Sequence, residues 1–263
     1  MKHLKSSFHD LHRIFEQSIT VRDIAEPLAS FDKDYSSDST LEFMTSKGFD
    51  VVGVRCDGNV KGYVLKEDLS SGTIGEHLRQ LEENIILDEN APMLRALEAL
   101  AMRRWILIRS FGSPGGIVTR GDLQKAPMRM WLFGLISLLE MQMLRTIRAI
   151  YEEDRWWTKH LSEKRILNAK KLFGQRHERG EEIHLSDCLQ IVDKATIFKK
   201  DETLFQLTGC STKREWQSFT KKIESLRNNL AHSNDLATSS WPEIAELAMK
   251  IEQLLIALEA ISV

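Results

Sequence analysis

Apolar and polar positions along the first half of the chain predict one order of elements twice. A helical spacing of apolar residues over positions 39–47 precedes a short apolar strand at 51–55, and the same spacing over 91–103 precedes a strand at 105–109. Each strand is followed by a glycine-containing turn and a second strand. The pattern therefore predicts two copies of a helix, strand, strand, helix unit.

The two copies end in similar segments at a constant offset. Gly62 and Asp68 bound the first segment, and Gly116 and Asp122 bound the second, each 54 residues later because 116 − 62 and 122 − 68 are equal. Such an offset indicates an internal duplication. Neither copy has enough apolar positions for a stable core, so the two are expected to pack against each other.

The segment from Gly116 through Thr119 to Asp122 resembles the adenosine-binding signature of tandem cystathionine-β-synthase (CBS) domains, over residues 19–126. The resemblance implies that Asp122 accepts the hydroxyls of a ribose and that Thr119 donates to a phosphate oxygen. The ligand would be a regulatory adenosine nucleotide such as AMP, ADP or ATP. The alternative is that Thr119 and Asp122 only cap a helix that begins near residue 123.

The first copy departs from this signature. Asp68 is present, but Leu65 stands where the signature has Ser or Thr. We therefore expect one competent nucleotide site, at Thr119 and Asp122, and one weak or vacant site at Asp68.

From Pro127 onward the pattern predicts helices alone. Ser162, Ser186, Thr212 and Ser240 are candidate N-cap residues. The predicted helices cover residues 128–151, 163–177, 187–199, 213–230 and 241–261. The expected fold class is α+β, with a CBS pair in a domain of residues 1–126 and an all-helical bundle in a domain of residues 127–263.

The segment around the end of the fourth of these helices contains Arg227, Asn228 and His232. Arginine, a polar residue and a histidine at this spacing resemble the motif of the HEPN (higher eukaryotes and prokaryotes nucleotide-binding) family, whose helical bundle covers residues 128–261 here. Many members are metal-independent endoribonucleases, and bacterial ones often act as toxins or in phage defence. The resemblance implies RNA as the substrate.

The chemistry implied is transphosphorylation to a 2′,3′-cyclic phosphate. His232 would carry the proton, Arg227 would hold the scissile phosphate, and Asn228 would orient either group. No carboxylate cluster suggests a metal site, and no cofactor is required for catalysis. The alternative is that Arg227 and His232 belong to a solvated helix end, where cations face the negative end of the helix dipole.

A second copy of the spacing, Arg155 and His160, has Trp156 where the motif has a polar residue, so position and Asn228 favour the later copy. Five residues turn a regular helix by about 140°, and Arg227 and His232 then do not share a face. This favours a homodimer or higher homo-oligomer in which two motifs form one cleft.

Charge and cysteine content narrow the setting. The formal net charge is −2, and basic residues concentrate at positions 159–179 and at Lys221 and Lys222, so RNA binding requires a local patch. Three separated cysteines favour a reducing compartment. The apolar run at 130–139 is shorter than the roughly 20 residues that span a bilayer, and the N-terminus lacks a signal-peptide pattern. We expect a cytoplasmic protein without a membrane partner.

These features predict an adenosine-nucleotide-regulated endoribonuclease. The rival prediction is a non-catalytic nucleotide-sensing adaptor, in which the helical domain only dimerises or binds a partner.

Overall fold

The computed structural model of the chain describes residues 13, 15–151, 153–232, 236 and 240–260. It divides into two compact units, residues 16–128 and residues 129–263 together with 1–15. Residues 1–12 of the expected first domain, and residues 233–235 after the Arg–Asn–His motif, lie outside the described residues.

The unit of residues 16–128 holds the two copies of the repeat. The first copy comprises β1 (Glu26–Pro27), β2 (Ser30–Asp32), α1 (Ser37–Lys47), β3 (Val51–Cys56) and β4 (Asn59–Leu65). The second copy repeats this order as β5 (Arg79–Gln80), β6 (Ile86–Asp88), α2 (Met93–Met102), β7 (Trp105–Ser110) and β8 (Ser113–Thr119). The predicted duplication is confirmed. Strands β1, β2, β5 and β6 were not predicted, because two or three residues carry no alternating pattern.

The strands form two four-stranded sheets that exchange their first strands. One sheet has the order β2-β3-β4-β5 and the other the order β1-β8-β7-β6. Strand β1 of the first copy pairs antiparallel with β8 of the second, with Pro27 opposite Gly116. Strand β5 of the second copy pairs antiparallel with β4 of the first, with Gln80 opposite Gly62. Each copy therefore completes the sheet of the other.

The exchange explains why both repeated segments begin with glycine. A Cβ atom on Gly62 would lie 2.5 Å from the carbonyl oxygen of Arg79 in β5. A Cβ atom on Gly116 would lie 3.3 Å from the carbonyl oxygen of Glu26 in β1. A side chain at either position would push the exchanged strand away, so these glycines serve a close approach of backbones.

The two copies share one core. Leu28, Val51 and Tyr63 of the first copy pack with Ile86 and Leu107 of the second. Along β3 the next residues alternate, so that Val52 and Val54 face the opposite side and pack with Met44 of α1. The expectation that the copies pack against each other is confirmed.

The helix predicted to end each copy is wrong. Only single 3₁₀ turns follow the repeated segments, at Lys66–Asp68 and at Asp122–Gln124. In the first copy the chain is extended at Leu69 and then turns at Gly72, whose φ of +106° no helix contains. In the second copy Lys125 is extended, and the next helix begins only at Ala126.

The unit that follows is helical among its described residues. Its helices are α3 (Ala126–Ile150), α4 (Asp154–Thr158), α5 (Glu163–His177), α6 (Ile191–Lys200), α7 (Glu202–Leu207), α8 (Lys213–Ala231) and α9 (Trp241–Glu259). The predicted all-helical character is confirmed. The helix predicted at 187–199 begins later, because Leu185–Cys188 form a 3₁₀ turn and α6 starts after a capping box of Gln190 and Asp193. Ser186 is therefore not an N-cap.

Helix α3 is long and apolar enough to span a membrane by length and composition. Of its most apolar window, 61% is buried inside the structure. Among the residues that the structure describes, no other helix meets these criteria.

Candidate functional site

The predicted nucleotide residues of the second copy contact each other directly. Strand β8 ends at Thr119, and the 3₁₀ turn begins at Asp122. One carboxylate oxygen of Asp122, Oδ2, accepts the backbone N–H of Thr119 at 2.7 Å and its hydroxyl at 2.8 Å. The side chain of Asp122 is 11% exposed. Asp122 thus bonds back to Thr119, but neither side chain caps a helix, because the 3₁₀ turn that follows has Gly121 as its N-cap and no side-chain cap hydrogen bond.

The other carboxylate oxygen of Asp122 contacts a residue that the sequence analysis did not select. The ammonium of Lys125 lies 2.8 Å from Oδ1. The same ammonium donates to the carbonyl oxygen of Ile24 at 2.9 Å and pairs with the carboxylate of Glu26 in β1. Lys125 therefore ties the exchanged strand β1 to Asp122 of the copy that hosts it.

Asp68 of the first copy has a different partner with the same consequence. Arg79, on the exchanged strand β5, donates two parallel hydrogen bonds of 2.6 Å each to its carboxylate. The backbone N–H of Leu65 also bonds to this carboxylate, as that of Thr119 does to Asp122. The hydrogen bonds from Arg79 lower the pKa of Asp68, and its burial opposes them only in part. Each repeated aspartate therefore holds the exchanged strand of the other copy.

Each repeated aspartate and the residues that join it to the exchanged strand form a clamp: Asp68 with Arg79, and Asp122 with Lys125 and Glu26. The charges of the two clamps are arranged differently. Glu26 and Arg79 occupy equivalent positions, because they pair with Ile117 and Tyr63, which are separated by the repeat offset of 54 residues. Arg79 attracts Asp68 directly, whereas Glu26 would repel Asp122 and needs the ammonium of Lys125 between them. Opposite charges at equivalent positions were a signal in the sequence, but only the strand exchange shows what they face.

A cleft of about 480 Å³ is lined by residues of both copies. Its lining includes Leu65, Lys66 and Glu67 at the end of β4 and Arg104 and Trp105 at the start of β7. Thr119 and Asp122 do not line it. Asp50 and Glu67 in the same lining balance the two cations, so the cleft has no net positive charge to attract a phosphate group.

The candidate catalytic residues lie at the end of α8. Arg227 and Asn228 are exposed on its last two turns, and His232 is exposed at its C-cap. The backbone N–H of His232 still bonds the carbonyl oxygen of Asn228 at 3.1 Å, so the helix is regular up to this residue. Asn228 and His232 then share one face, and Arg227 lies about 140° from His232. One chain does not bring Arg227 and His232 to the same face of α8.

This helix end is fixed by a residue that the motif does not include. Arg129 of α3 donates to the carbonyl oxygens of Asn229 and Leu230 at 3.0 and 3.2 Å. Carbonyl groups in the last turn of a helix lack partners within the helix, and a guanidinium near them is also favoured by the helix dipole. Arg129 therefore anchors the turn that presents the motif.

His160, from the other copy of the spacing, has different surroundings. Its Nε2 atom is buried and lies 3.6 Å from the carboxylate of Asp201, which also accepts the hydroxyl of Tyr151. Burial lowers the pKa of His160. Only the backbone of Arg155 is described. His160 is thus held between helices, whereas His232 is accessible to a polyanion.

Within the described ranges, no group of three or more His, Cys, Asp or Glu side chains is arranged to hold a metal ion.

Comparison with known proteins gives structural similarity over part of the chain. No family model and no curated protein matches. The chain is similar to CBSX2 in complex with AMP (20% identity, 43% of this chain and 98% of that chain, TM-score 0.37). It is also similar to the CBS domain of the bacterial CNNM/CorC family Mg²⁺ transporter in complex with ATP (17%, 44% and 92%, 0.35). A third similar structure is an uncharacterized conserved protein from Pyrococcus horikoshii (21%, 41% and 90%, 0.36).

The clamp at Asp68 predicts how acid affects stability. Because the pKa of Asp68 is lower in the folded chain than the unfolded value of about 3.9, its contribution is present above about pH 4 and is lost as the pH falls through the folded value. We expect Asp68→Asn to lower the free energy of unfolding at neutral pH and to approach wild type in acid. Denaturation across pH measures this. Asp32→Asn, which removes an exposed ion pair with Arg55, is the control and should change little. A constant difference between wild type and Asp68→Asn at all pH values would contradict the clamp.

Proposed function

We propose that this chain is a cytoplasmic, metal-independent endoribonuclease of the HEPN type whose activity is regulated by an adenosine nucleotide bound to a CBS pair. The observation that carries the proposal is the exposure of the three motif residues at the end of α8. It presents Arg227, Asn228 and His232 to solvent on a turn that Arg129 anchors. An accessible imidazole, a guanidinium and an amide at one helix end are the groups that RNA transphosphorylation needs.

In this mechanism His232 accepts the proton of a ribose 2′-hydroxyl, and the freed oxygen attacks the adjacent phosphorus. The bond from phosphorus to the 5′-oxygen breaks, and that oxygen leaves with the proton that the imidazolium of His232 returns, which restores the neutral imidazole. Arg227 donates two hydrogen bonds to the phosphate as negative charge develops on it. Asn228, one turn from His232 on the same face, orients the imidazole or the phosphate. The products are a 2′,3′-cyclic phosphate and a 5′-hydroxyl.

A homodimer supplies what one chain does not. Because Arg227 and His232 point about 140° apart, two motifs facing each other across a two-fold axis would place the arginine of one beside the histidine of its partner. Helix α3, which carries Arg129, has an apolar stripe that supports such contact. Met130, Phe133 and Met141 lie within about 80° of one another on the helix and are 63%, 42% and 38% exposed.

Regulation follows from the two-protomer cleft. A cleft built from two chains changes with their relative rotation, so a ligand that prefers one arrangement shifts activity. The proposed ligand sites lie at the repeated aspartates, as the sequence signature implies. The similar CBS structures in complex with AMP and ATP support an adenosine nucleotide as the ligand. At Asp122 the ribose hydroxyls would replace donors that the chain itself provides.

A second candidate function is an adaptor without catalysis. The contacts of Asp122 favour it, because both carboxylate oxygens already have partners in Thr119 and Lys125. In that case the repeats are a structural module, and the helical unit only dimerises or binds another protein.

Nucleotide binding should depend on the second copy. Asp122→Asn keeps the shape of the side chain but removes an anionic acceptor for the ribose hydroxyls, a loss of at least about tenfold in affinity. Asp68→Asn should bind as wild type does, because Leu65 leaves that site without its hydroxyl. Isothermal titration with AMP, ADP and ATP measures both variants, after circular dichroism has shown them to be folded. Equal losses in the two variants would remove the asymmetry.

RNA cleavage should persist in excess EDTA and should require His232. General acid–base catalysis contributes about 10²- to 10⁴-fold, so His232→Ala should lower the cleavage rate by that factor. Arg227→Ala should lose a comparable amount, and Arg227→Lys should recover little because a point charge does not replace the two-pronged contact. Gel analysis of labelled RNA and of its cyclic phosphate ends measures the rate and the chemistry.

Two other histidines serve as controls for His232. His184 is exposed in the same unit and lies outside both motif copies, so His184→Ala should cleave as wild type does. His160→Ala tests the other copy and should retain cleavage where it folds. Loss of cleavage in folded His160→Ala but not in His232→Ala would move the site to the first copy. Unchanged cleavage in both would favour the adaptor.

A further inference from the structure

A groove in the helical unit lies next to the candidate catalytic turn. It has a volume of about 380 Å³, and helices α3, α5, α6 and α8 line it. Its floor is apolar, with Leu139, Ile191 and Ile223 among the lining residues. Nothing in the proposed mechanism uses this groove.

The rim of the groove is basic. Arg165, Lys199, Lys200 and Lys221 line it, against the single lining carboxylate of Glu224. Two of these cations have partners, because Arg165 pairs with Asp193 and Lys199 donates to Gln217 at 2.7 Å. Lys200 and Lys221 are exposed and form no hydrogen bond or ion pair with the described residues. Their charges are available to an anionic ligand.

The face of α8 that lines the groove continues to His232. Gln217, Lys221 and Glu224 line it, and Asn228 and His232 follow at further steps of four residues. On a regular helix these five residues lie within about 80° of one another and extend over about 22 Å. A ligand that follows this face of α8 from the groove therefore reaches the imidazole.

We infer that this groove binds the backbone of single-stranded RNA and leads the strand to His232. The inference rests on the proposed nuclease function. The unpaired ammonium groups of Lys200 and Lys221 suit phosphates, and an apolar floor suits unstacked bases. The row from Lys221 to His232 gives the reason to prefer RNA over an acidic peptide, since it connects the basic rim to the group that would carry the proton.

Two adjacent lysines provide a matched test. Lys221 lines the groove, whereas Lys222 is about 100° away on α8 and lies near Glu243 and Glu246 on the other side. Both are exposed, so Lys221→Glu and Lys222→Glu make the same charge change without altering the core. Each is combined with His232→Ala, and binding of fluorescent oligouridylate is measured by anisotropy at several salt concentrations.

Loss of one phosphate contact on a single strand weakens binding about fivefold at roughly 0.1 M salt and lowers the slope of log affinity against log salt by about 0.7. Lys221→Glu should show at least this loss and this change of slope, and Lys200→Glu should do the same from another helix. Lys222→Glu should stay within about twofold of the parent. In the catalytically intact protein, Lys221→Glu should raise KM with little effect on kcat.

If Lys221→Glu and Lys222→Glu weaken RNA binding equally, or neither weakens it, the inference that the groove binds RNA is wrong. RNA cleavage by the wild-type protein would in that case still support the proposed nuclease function. Displacement of the RNA by polyglutamate at matched charge concentration, with the same dependence on Lys221, would overturn it in favour of an acidic peptide ligand. A wild-type protein that neither binds nor cleaves RNA would overturn both the groove and the nuclease.

Discussion

The exchange of two very short strands is the constraint on which the N-terminal unit depends. Strands β1 and β5 have two residues each, and each lies at the edge of the sheet that the other copy builds. Without the exchanged strand, either hairpin would expose an unpaired edge, and the core shared by the two copies would open. Gly62 and Gly116 leave room for the backbones of the exchanged strands. Asp68 binds one of these strands through Arg79, and Asp122 binds the other through Lys125.

The clamps and the proposed ligand sites use the same carboxylates. A ribose at Asp122 would compete for the carboxylate with the hydroxyl of Thr119 and with Lys125, which also contacts Glu26 on the exchanged strand β1. Ligand binding would therefore act on contacts that hold the two copies together, rather than fill an independent pocket. In the proposed enzyme this is how a small ligand could alter the arrangement of two protomers.

The repeat and the helical bundle could be predicted because they depend on long periodic patterns and a constant offset of 54 residues. The exchanged strands could not, because two residues carry no period and their partners lie about 90 residues away in one case. The pairs of Asp68 with Arg79 and of Lys125 with Glu26 follow from that exchange, and so they were missed as well. At the helical motif, residue spacing gave the angle between Arg227 and His232. Arg129 was missed, since nothing local to the motif indicates a contact across 100 residues.

The proposed nuclease requires that Arg227 and His232 act from different protomers, and mixing two inactive variants tests this most directly. Arg227→Ala and His232→Ala are purified separately, combined under conditions that allow subunits to exchange, and assayed for RNA cleavage. We expect activity to return to roughly one quarter of wild type. Half of the dimers are then mixed, and each mixed dimer holds one intact site of two. No recovery, with light scattering showing that mixed dimers form, would contradict a cleft shared between two chains.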